Sequence, residues 1–313
     1  MANSQIKGRI LAVIGPTGVG KSNLAFSLAE SFDGEIVNAD SRQIYKGLDI
    51  GTSKPSIEER LSIPHHLFDI IDPDEEFSLF SFLELVQITL QDILRKKKLP
   101  ILVGGSGQYI WGVLEGWKTP PVPPNTILRE ELEERARQWG ANYLHQQLKR
   151  VDPISAEKIL PGNVRRVVRA LEVFQTIGIP YSFFQKKQGS IYNQLIIGCA
   201  PNSRSELLAS IDKRIHSMLA SGWLEEVKML KLKGYSFELP SFSTMGYREL
   251  SLVLSGELSL DSAIEKIKIA HRRLIRRQGS WFKEGDTRIN WITLDPQGIN
   301  SIWERVEFFR DQP

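Results

Sequence analysis

RILAVIGPTGVGKSNLAFSLAE, residues 9–30, decides the fold. Arg9–Ile14 is a short apolar run rich in β-branched residues, and it stops at the turn signal Gly15-Pro16. Beyond Lys21, the apolar residues Leu24, Ala25, Leu28 and Ala29 fall at helical spacing. The stretch therefore reads strand, glycine loop, helix. The loop itself, Gly15-Pro16-Thr17-Gly18-Val19-Gly20-Lys21-Ser22, satisfies G-x-x-x-x-G-K-[ST]. Backbone N–H groups in such a loop turn inward onto phosphate oxygens, and the following helix adds its positive end. Lys21 reaches the outer phosphate, and the Ser22 hydroxyl can ligate Mg²⁺. The motif specifies a diphosphate or triphosphate. It does not specify ATP.

Outward from the loop, strand and helix patterns alternate. Glu35–Ala39 reads as a second strand, Leu67–Ile71 as a third and Pro100–Val103 as a fourth, with a helix over Phe80–Lys98. Strands that alternate with helices predict a parallel sheet with right-handed crossovers. The composition shifts at Trp117: Lys118–Asn125 (KTPPVPPN) carries four prolines and suits a stiff connector. Ile127–Arg150 and Val164–Ile177 are helix-patterned, the latter stopping at Gly178, and no strand pattern appears between about 120 and 190. Strand pattern resumes at Leu195–Cys199. Helices follow at about 204–233 and 260–284, then a strand at Ile289–Leu294. The predicted fold class is α/β: a P-loop-type parallel sheet core flanked by helices, formed by 1–118 and 192–313. An all-helical domain, 119–191, is inserted into it.

The 313 residues suffice for a full core, and 41% apolar with 25% charged residues is ordinary for a globular chain. No apolar run approaches the ~20 residues of a membrane span. The polar Met1–Lys7 matches neither a signal nor a transit peptide, so a cytoplasmic location and no membrane partner are expected. The single cysteine, Cys199, excludes an intramolecular disulfide and a Cys-based zinc site, and reads as a small core residue. The net charge of +3 says little, but Lys266–Lys283 holds seven Lys or Arg and no acid.

Asp40 follows the second strand, at the sheet edge where α/β folds bind ligands. Three roles are open to it: holding Mg²⁺ through water, acting as a general base, or capping the next segment. Gln43 beside it is able to read an adenine edge. Arg165 and Arg169 share a helical face with Arg166 adjacent, suited to RNA phosphates or to a solvated face. Arg272, Arg273, Arg276 and Arg277 form a denser cluster, with Trp281 and Phe282 nearby, open to RNA-backbone or leaving-group contact or to a solvated or ion-paired helix. Arg95–Lys98 reads as a helix C-terminus favoured by the macrodipole. His65-His66 would point to opposite faces of an extended chain, which favours structural hydrogen bonding over a metal pair.

Eight segments together resemble the tRNA dimethylallyltransferase (tRNA isopentenyltransferase) family of bacterial type: GPTGVGKS (15–22), NADSRQIYKGLDIGTSKP (38–55), PHHLFDIIDP (64–73), LVGGSGQYI (102–110), VDPISAEKI (151–159), RRVVRALEVF (165–174), GYRE (246–249) and RRQGSWFK (276–283). They run in family order over nearly the whole chain. The resemblance implies a P-loop that grips dimethylallyl diphosphate, with Mg²⁺ as cofactor. It implies prenyl transfer to N6 of adenine 37 in a tRNA anticodon loop, with pyrophosphate leaving. Asp40 matches the family's general base. Ser106 matches a threonine near the amine and the diphosphate, and Arg214 an arginine that reaches toward the leaving group. Asp40, Ser41, Arg42 and Gln43 match the segment that reads the target base. Arg165, Arg166, Val167, Val168 and Arg169 match a tRNA-binding stretch, Arg129 a further tRNA contact, and Arg276 and Arg277 lie in the basic C-terminal segment. A monomer is expected. The chain departs from the family at Ser210, usually arginine, at Leu160-Pro161-Gly162-Asn163, usually His-Pro-Asn-Asp, and at His271 and Leu274, usually Thr and Tyr.

Three rivals share parts of this pattern. A small-molecule kinase would use the loop for ATP. A relative acting on free adenine nucleotides would share the loop and Asp40. A non-catalytic RNA-binding protein would need the arginines alone.

Overall fold

The computed structural model describes residues 8–185 and 189–311, so the lead-in Met1–Lys7 lies outside the described residues. The chain divides into two compact units, one of residues 1–77, 82–114 and 191–313, the other of 78–81 and 115–190. The described residues of the first unit form six strands: β1 (Arg9–Ile14), β2 (Gly34–Asn38), β3 (His65–His66), β4 (Leu99–Val103), β5 (Asn193–Ala200) and β6 (Ile289–Thr293). Every pair is parallel and the order is β3-β2-β4-β1-β5-β6. β2 and β4 are buried throughout, and β1 is buried from Ile10 on. Such burial on both faces is what continuous Val/Ile/Leu runs under flanking helices require. The loops after β1, β2 and β4 emerge at one sheet edge, on neighbouring strands, and build the site.

The third strand differs from expectation. Only His65–His66 pairs, with Ile36 and Val37, while the Leu67–Ile71 segment keeps a single bridge, Tyr45 to Ile71. Leu67 (φ 64) and Asp69 (φ 52) take left-handed backbone, which no strand accommodates. Side chains hold the segment there: Asn38 Nδ2 donates to Leu67 O at 2.9 Å, and Lys54 and Arg60 both bind Asp69 at 2.5 Å. The histidines are structural: His65 Nδ1 bonds Ile63 O, and His66 Nε2 bonds the buried Glu35, each at 2.7 Å. Arg95–Lys98 also serves the fold, with Arg95 on Asp92 and Lys98 on Asp33.

Two helices expected to be continuous are broken. Thr126–Trp139 ends at Gly140 (φ 88) before Ala141–Val151, and Arg204–Ala220 ends before Gly222 (φ 96) and Trp223–Leu232. Glycine adopts such backbone without a Cβ penalty and so ends a helix. Val164–Ile177 forms as expected and stops at Gly178 in the left-handed region. The second unit packs Leu132, Leu144, Leu148, Val167, Val168 and Leu171 into its own core, and its described residues form no strand.

Candidate active site

β1 delivers the glycine loop. At Gly15 (φ 142) a Cβ would lie 2.5 Å from Cys199 O, so only glycine lets the chain leave the strand beside β5. The helix Lys21–Ser31 then begins from Gly20 with no side-chain cap and no acid in its first turn. Its leading N–H groups lack intrahelical partners, and no carboxylate of that turn competes for them. That arrangement attracts an anion. Ser210 Oγ steadies the loop by donating to Gly18 O at 2.7 Å, and Lys21 Nζ folds back on Pro16 O at 2.8 Å. Burial lowers the Lys21 pKa to about 8, opposed by Cys199 and Asp40 and reinforced by Arg214. Cys199 is fully buried and its thiol is pushed up to about 11, as an inert core residue should be.

Asp40 stands two residues past β2, in a turn built by Asn38. The Asn38 carboxamide accepts from Asp40 N–H at 2.8 Å and donates to Asp40 O at 3.1 Å. Asp40 Oδ1 accepts from Arg42 N–H at 2.9 Å, and Oδ2 has no hydrogen-bond partner among the described residues. Ser106, on the loop after β4, accepts from Ser41 N–H at 3.0 Å and donates to Ser41 Oγ at 3.2 Å. The hydroxyl that sequence placed near the chemistry thus braces the aspartate turn.

Two cavities meet at these groups. One, about 430 Å³, is lined by Thr17, Asp40, Ser106, Arg214, His271 and Arg277 among others; the second, about 280 Å³, by Lys21, Ser22, Gln43, Lys54, Ser210 and Arg214 among others. Arg214 lines both. Its guanidinium is largely buried, and its Nε is without a hydrogen-bond partner. Burial lowers its pKa while Asp40 opposes the shift; arginine stays charged regardless. A buried cation with an unspent donor between a phosphate loop and a carboxylate is suited to an anionic ligand.

Other sequence-selected residues are placed less directly. Gln43 spends both amide hydrogens on Thr52 O and Ser53 O, so its N–H groups are not available to an adenine edge. Arg42 holds Pro240 O and Ser243 Oγ. Val167 and Val168 are buried in the helical unit and cannot touch RNA, whereas Arg165 and Arg166 are exposed. Arg129 and Arg169 are tied to the fully buried Glu172, at 2.8 and 2.6 Å. Arg272, Arg273, Arg276 and Arg277 are exposed along the helix Leu260–Trp281, while Phe282 is buried.

A model of the IPP transferase family matches residues 43–285. The chain belongs to the IPP transferase family. It is similar to the tRNA dimethylallyltransferase of Roseiflexus castenholzii, 46% identical over 298 residues, covering 95% of this chain and 96% of that one. The tRNA dimethylallyltransferase of Dehalococcoides mccartyi is 43% identical over 300 residues, covering 96% and 92%. Among solved structures, the tRNA isopentenylpyrophosphate transferase of Bacillus halodurans superposes with TM-score 0.70 at 34% identity over 97% of both chains. A eukaryotic dimethylallyltransferase acting on tRNA superposes with TM-score 0.82 at 27% identity, over 98% of this chain and 80% of that one. Membership of the IPP transferase family makes the chain an enzyme of the transferase class, with the α/β fold of these structures. No helix of the described residues is long and apolar enough to cross a membrane.

Sequence reasoning on this IPP transferase passed over four organising residues: Asn38, Glu172, Glu226 and Gln278. Glu226 accepts from the N–H groups of Asp49, Ile50 and Gly51 and from Tyr247 Oη–H, and so shapes the loop that follows Asp40. Asn38 had a signal, a polar residue ending a buried strand two positions before an acid. Glu172 had a partial one, its i,i+3 spacing from Arg169, while its bond to Arg129 spans 43 residues. Glu226 and Gln278 bond groups 21 to 261 residues away and had none.

Proposed function

We propose that this chain transfers the dimethylallyl group of dimethylallyl diphosphate to N6 of adenine 37 in the anticodon loop of tRNA, giving N6-dimethylallyladenosine and pyrophosphate. The observation that carries the reading is Arg214 lining both the cavity of the phosphate loop and the cavity of Asp40. A leaving diphosphate and an attacking amine need groups in that order.

The loop N–H groups and Lys21 hold the diphosphate, and Arg214 faces the charge that develops as the C1–O bond breaks. The adenine amine attacks C1, and the unpartnered Asp40 Oδ2 accepts its proton, since an exocyclic amine is a poor nucleophile until it begins to lose one. Ser106 keeps the Asp40 turn in place through Ser41. The exposed Ser22 hydroxyl at the helix start fits a Mg²⁺ site completed by diphosphate oxygens and water; the ion would neutralise charge on the leaving group. Adenine 37 must leave its stack to reach Asp40, at a cost of a few kcal/mol. Phosphate contacts from Arg165, Arg166, Arg276 and Arg277 offset that cost. Arg129 and Arg169, seated on Glu172, add their charge to the RNA-facing surface of the helical unit. We place the enzyme in the cytoplasm as a monomer.

The test uses labelled dimethylallyl diphosphate, Mg²⁺ and either unmodified tRNA with adenines at 36–38 or free AMP. Label on tRNA that is lost when adenine 37 becomes guanine supports the reading. Label on AMP alone assigns the chain to nucleotide prenylation, and ATP hydrolysis without label transfer assigns it to the kinases.

A further inference from the structure

One buried carboxamide links the two halves of the site. Gln278, 4% exposed, lies on the helix Leu260–Trp281. Its Oε1 accepts from Thr17 N–H at 2.9 Å. Its Nε2 donates to Thr17 Oγ1 at 3.2 Å and to Gly105 O at 3.3 Å. Thr17 belongs to the phosphate loop, and Gly105 precedes Ser106. The contact is tight: a Cβ on Gly105 would lie 2.2 Å from Gln278 Nε2. One turn on, the Trp281 ring lies where a Cβ of Gly107 would be, 2.2 Å from its Cγ, and Trp281 O accepts from Trp111 Nε1 at 3.0 Å. The helix therefore grips the loop after β4 on both sides of Ser106, and Ser106 in turn holds Ser41 N–H beside Asp40. An unbroken chain of contacts runs from Thr17 through Gln278, Gly105, Ser106 and Ser41 to Asp40.

The chemistry of the clasp is specific. It needs an acceptor for one N–H and two donors for two oxygens, on adjacent atoms. Glutamate supplies no donor, lysine no acceptor, and histidine at most one of each per tautomer.

We infer that Gln278 is a positioning residue that sets the spacing between the diphosphate cradle and the Asp40–Ser106 acceptor side. The inference rests on the prenyl-transfer reading of the same site. Misplacing reacting groups by about 1 Å costs on the order of 10²-fold in rate. It also opens a competing path: water attacks C1 in place of the amine, the C1–O bond breaks, the water proton is released, and dimethylallyl alcohol and pyrophosphate form. The ratio of alcohol to prenylated tRNA reports alignment and is independent of the folded fraction.

The experiment compares wild type, Gln278→Met, which keeps the volume and loses all three bonds, and Gln278→Glu, which keeps the acceptor and loses both donors. Single-turnover transfer, the alcohol-to-product ratio and tRNA-binding stoichiometry are measured for each. Expected are roughly 10- to 100-fold slower transfer and a ratio raised about tenfold in both variants, with stoichiometry unchanged. A ratio equal to wild type in both variants overturns the inference, whether transfer is unchanged or falls only with the binding-competent fraction. Wild-type protein that transfers no prenyl group overturns the activity reading and this inference with it. A transferring wild type with unaffected variants overturns the clasp alone.

Discussion

With Lys21 on the diphosphate as proposed, its buried ammonium should make diphosphate affinity a function of pH. Its pKa in the free protein is about 8, set by burial in the phosphate loop. A bound diphosphate places several negative charges against it and returns the pKa toward or above the ordinary ~10.4 of lysine. The protonated fraction of free Lys21 is then about 0.9 at pH 7 and about 0.1 at pH 9, so the affinity for dimethylallyl diphosphate falls about tenfold over that range. The ligand does not confound the window, because the last ionisation of a phosphate ester lies near pH ~6. Neither does Cys199, at about 11, nor His271, whose burial lowers its pKa from the ordinary value. Titration calorimetry at pH 7, 8 and 9, in buffers of different ionisation enthalpy, reads both affinity and proton uptake, which should approach about half a proton at pH 8. Lys21→Arg keeps its charge throughout and should show a flat profile. The free protein moves the other way: between about pH 8 and 10.5 the unfolded chain binds a proton that the folded lysine has lost, so this group adds stability as pH rises. An affinity that is flat from pH 7 to 9, or an equal decline in Lys21→Arg, would refute the assignment of Lys21 to the diphosphate.

Glu172 lies fully buried between Arg129 and Arg169; burial raises its pKa, and its hydrogen bonds from Arg129, Arg169 and Asn125 N–H more than reverse this. Glu172→Gln should cost about 3 kcal/mol of stability at pH 7, read by thermal or urea unfolding, and the difference from wild type should shrink as pH falls below about 4 and the native carboxylate protonates. Glu226→Ala removes the acceptor for Asp49, Ile50 and Gly51 N–H, so hydrogen exchange there should quicken and stability should drop by about 2–3 kcal/mol. Gly104→Ala places a Cβ 2.2 Å from Ala39 O, backbone against backbone beside Asp40. It should destabilise by about 2–3 kcal/mol and lower transfer further than that loss explains, as measured on the folded fraction.

The parts of this molecule that were legible in sequence are those encoded by neighbours in the chain. The phosphate loop needs eight consecutive residues between a strand and a helix. The helix Val164–Ile177 was read to the residue because Gly178 supplies the left-handed stop. Leu67–Ile71 was misread because its strand-like composition is overruled by Asn38, Lys54 and Arg60, which hold Leu67 and Asp69 at positive φ. The tie of Arg129 to Glu172 was not legible because 43 residues separate them, whereas the Arg169–Glu172 pair, three residues apart on one helix, was within reach of sequence and was passed over. Gln43 looked like a base reader, and its amide hydrogens serve a loop nine and ten residues away. Gln278 sits 261 residues from Thr17, and nothing in the local pattern RRQGSW marks it as the link between loops. Periodicity reports which face is apolar. It does not report which polar group meets which.

The account stands most directly on the proton acceptor. Single-turnover transfer from labelled dimethylallyl diphosphate to a tRNA with adenines at 36–38 should be compared in wild type and Asp40→Asn, with tRNA binding measured alongside. The account predicts label on N6 of adenine 37 in wild type, a rate lower by roughly 10²–10⁴-fold in Asp40→Asn, and nearly unchanged tRNA affinity. Transfer in Asp40→Asn within about fivefold of wild type would contradict it, since among the described residues no other carboxylate lines the larger cavity to take the proton.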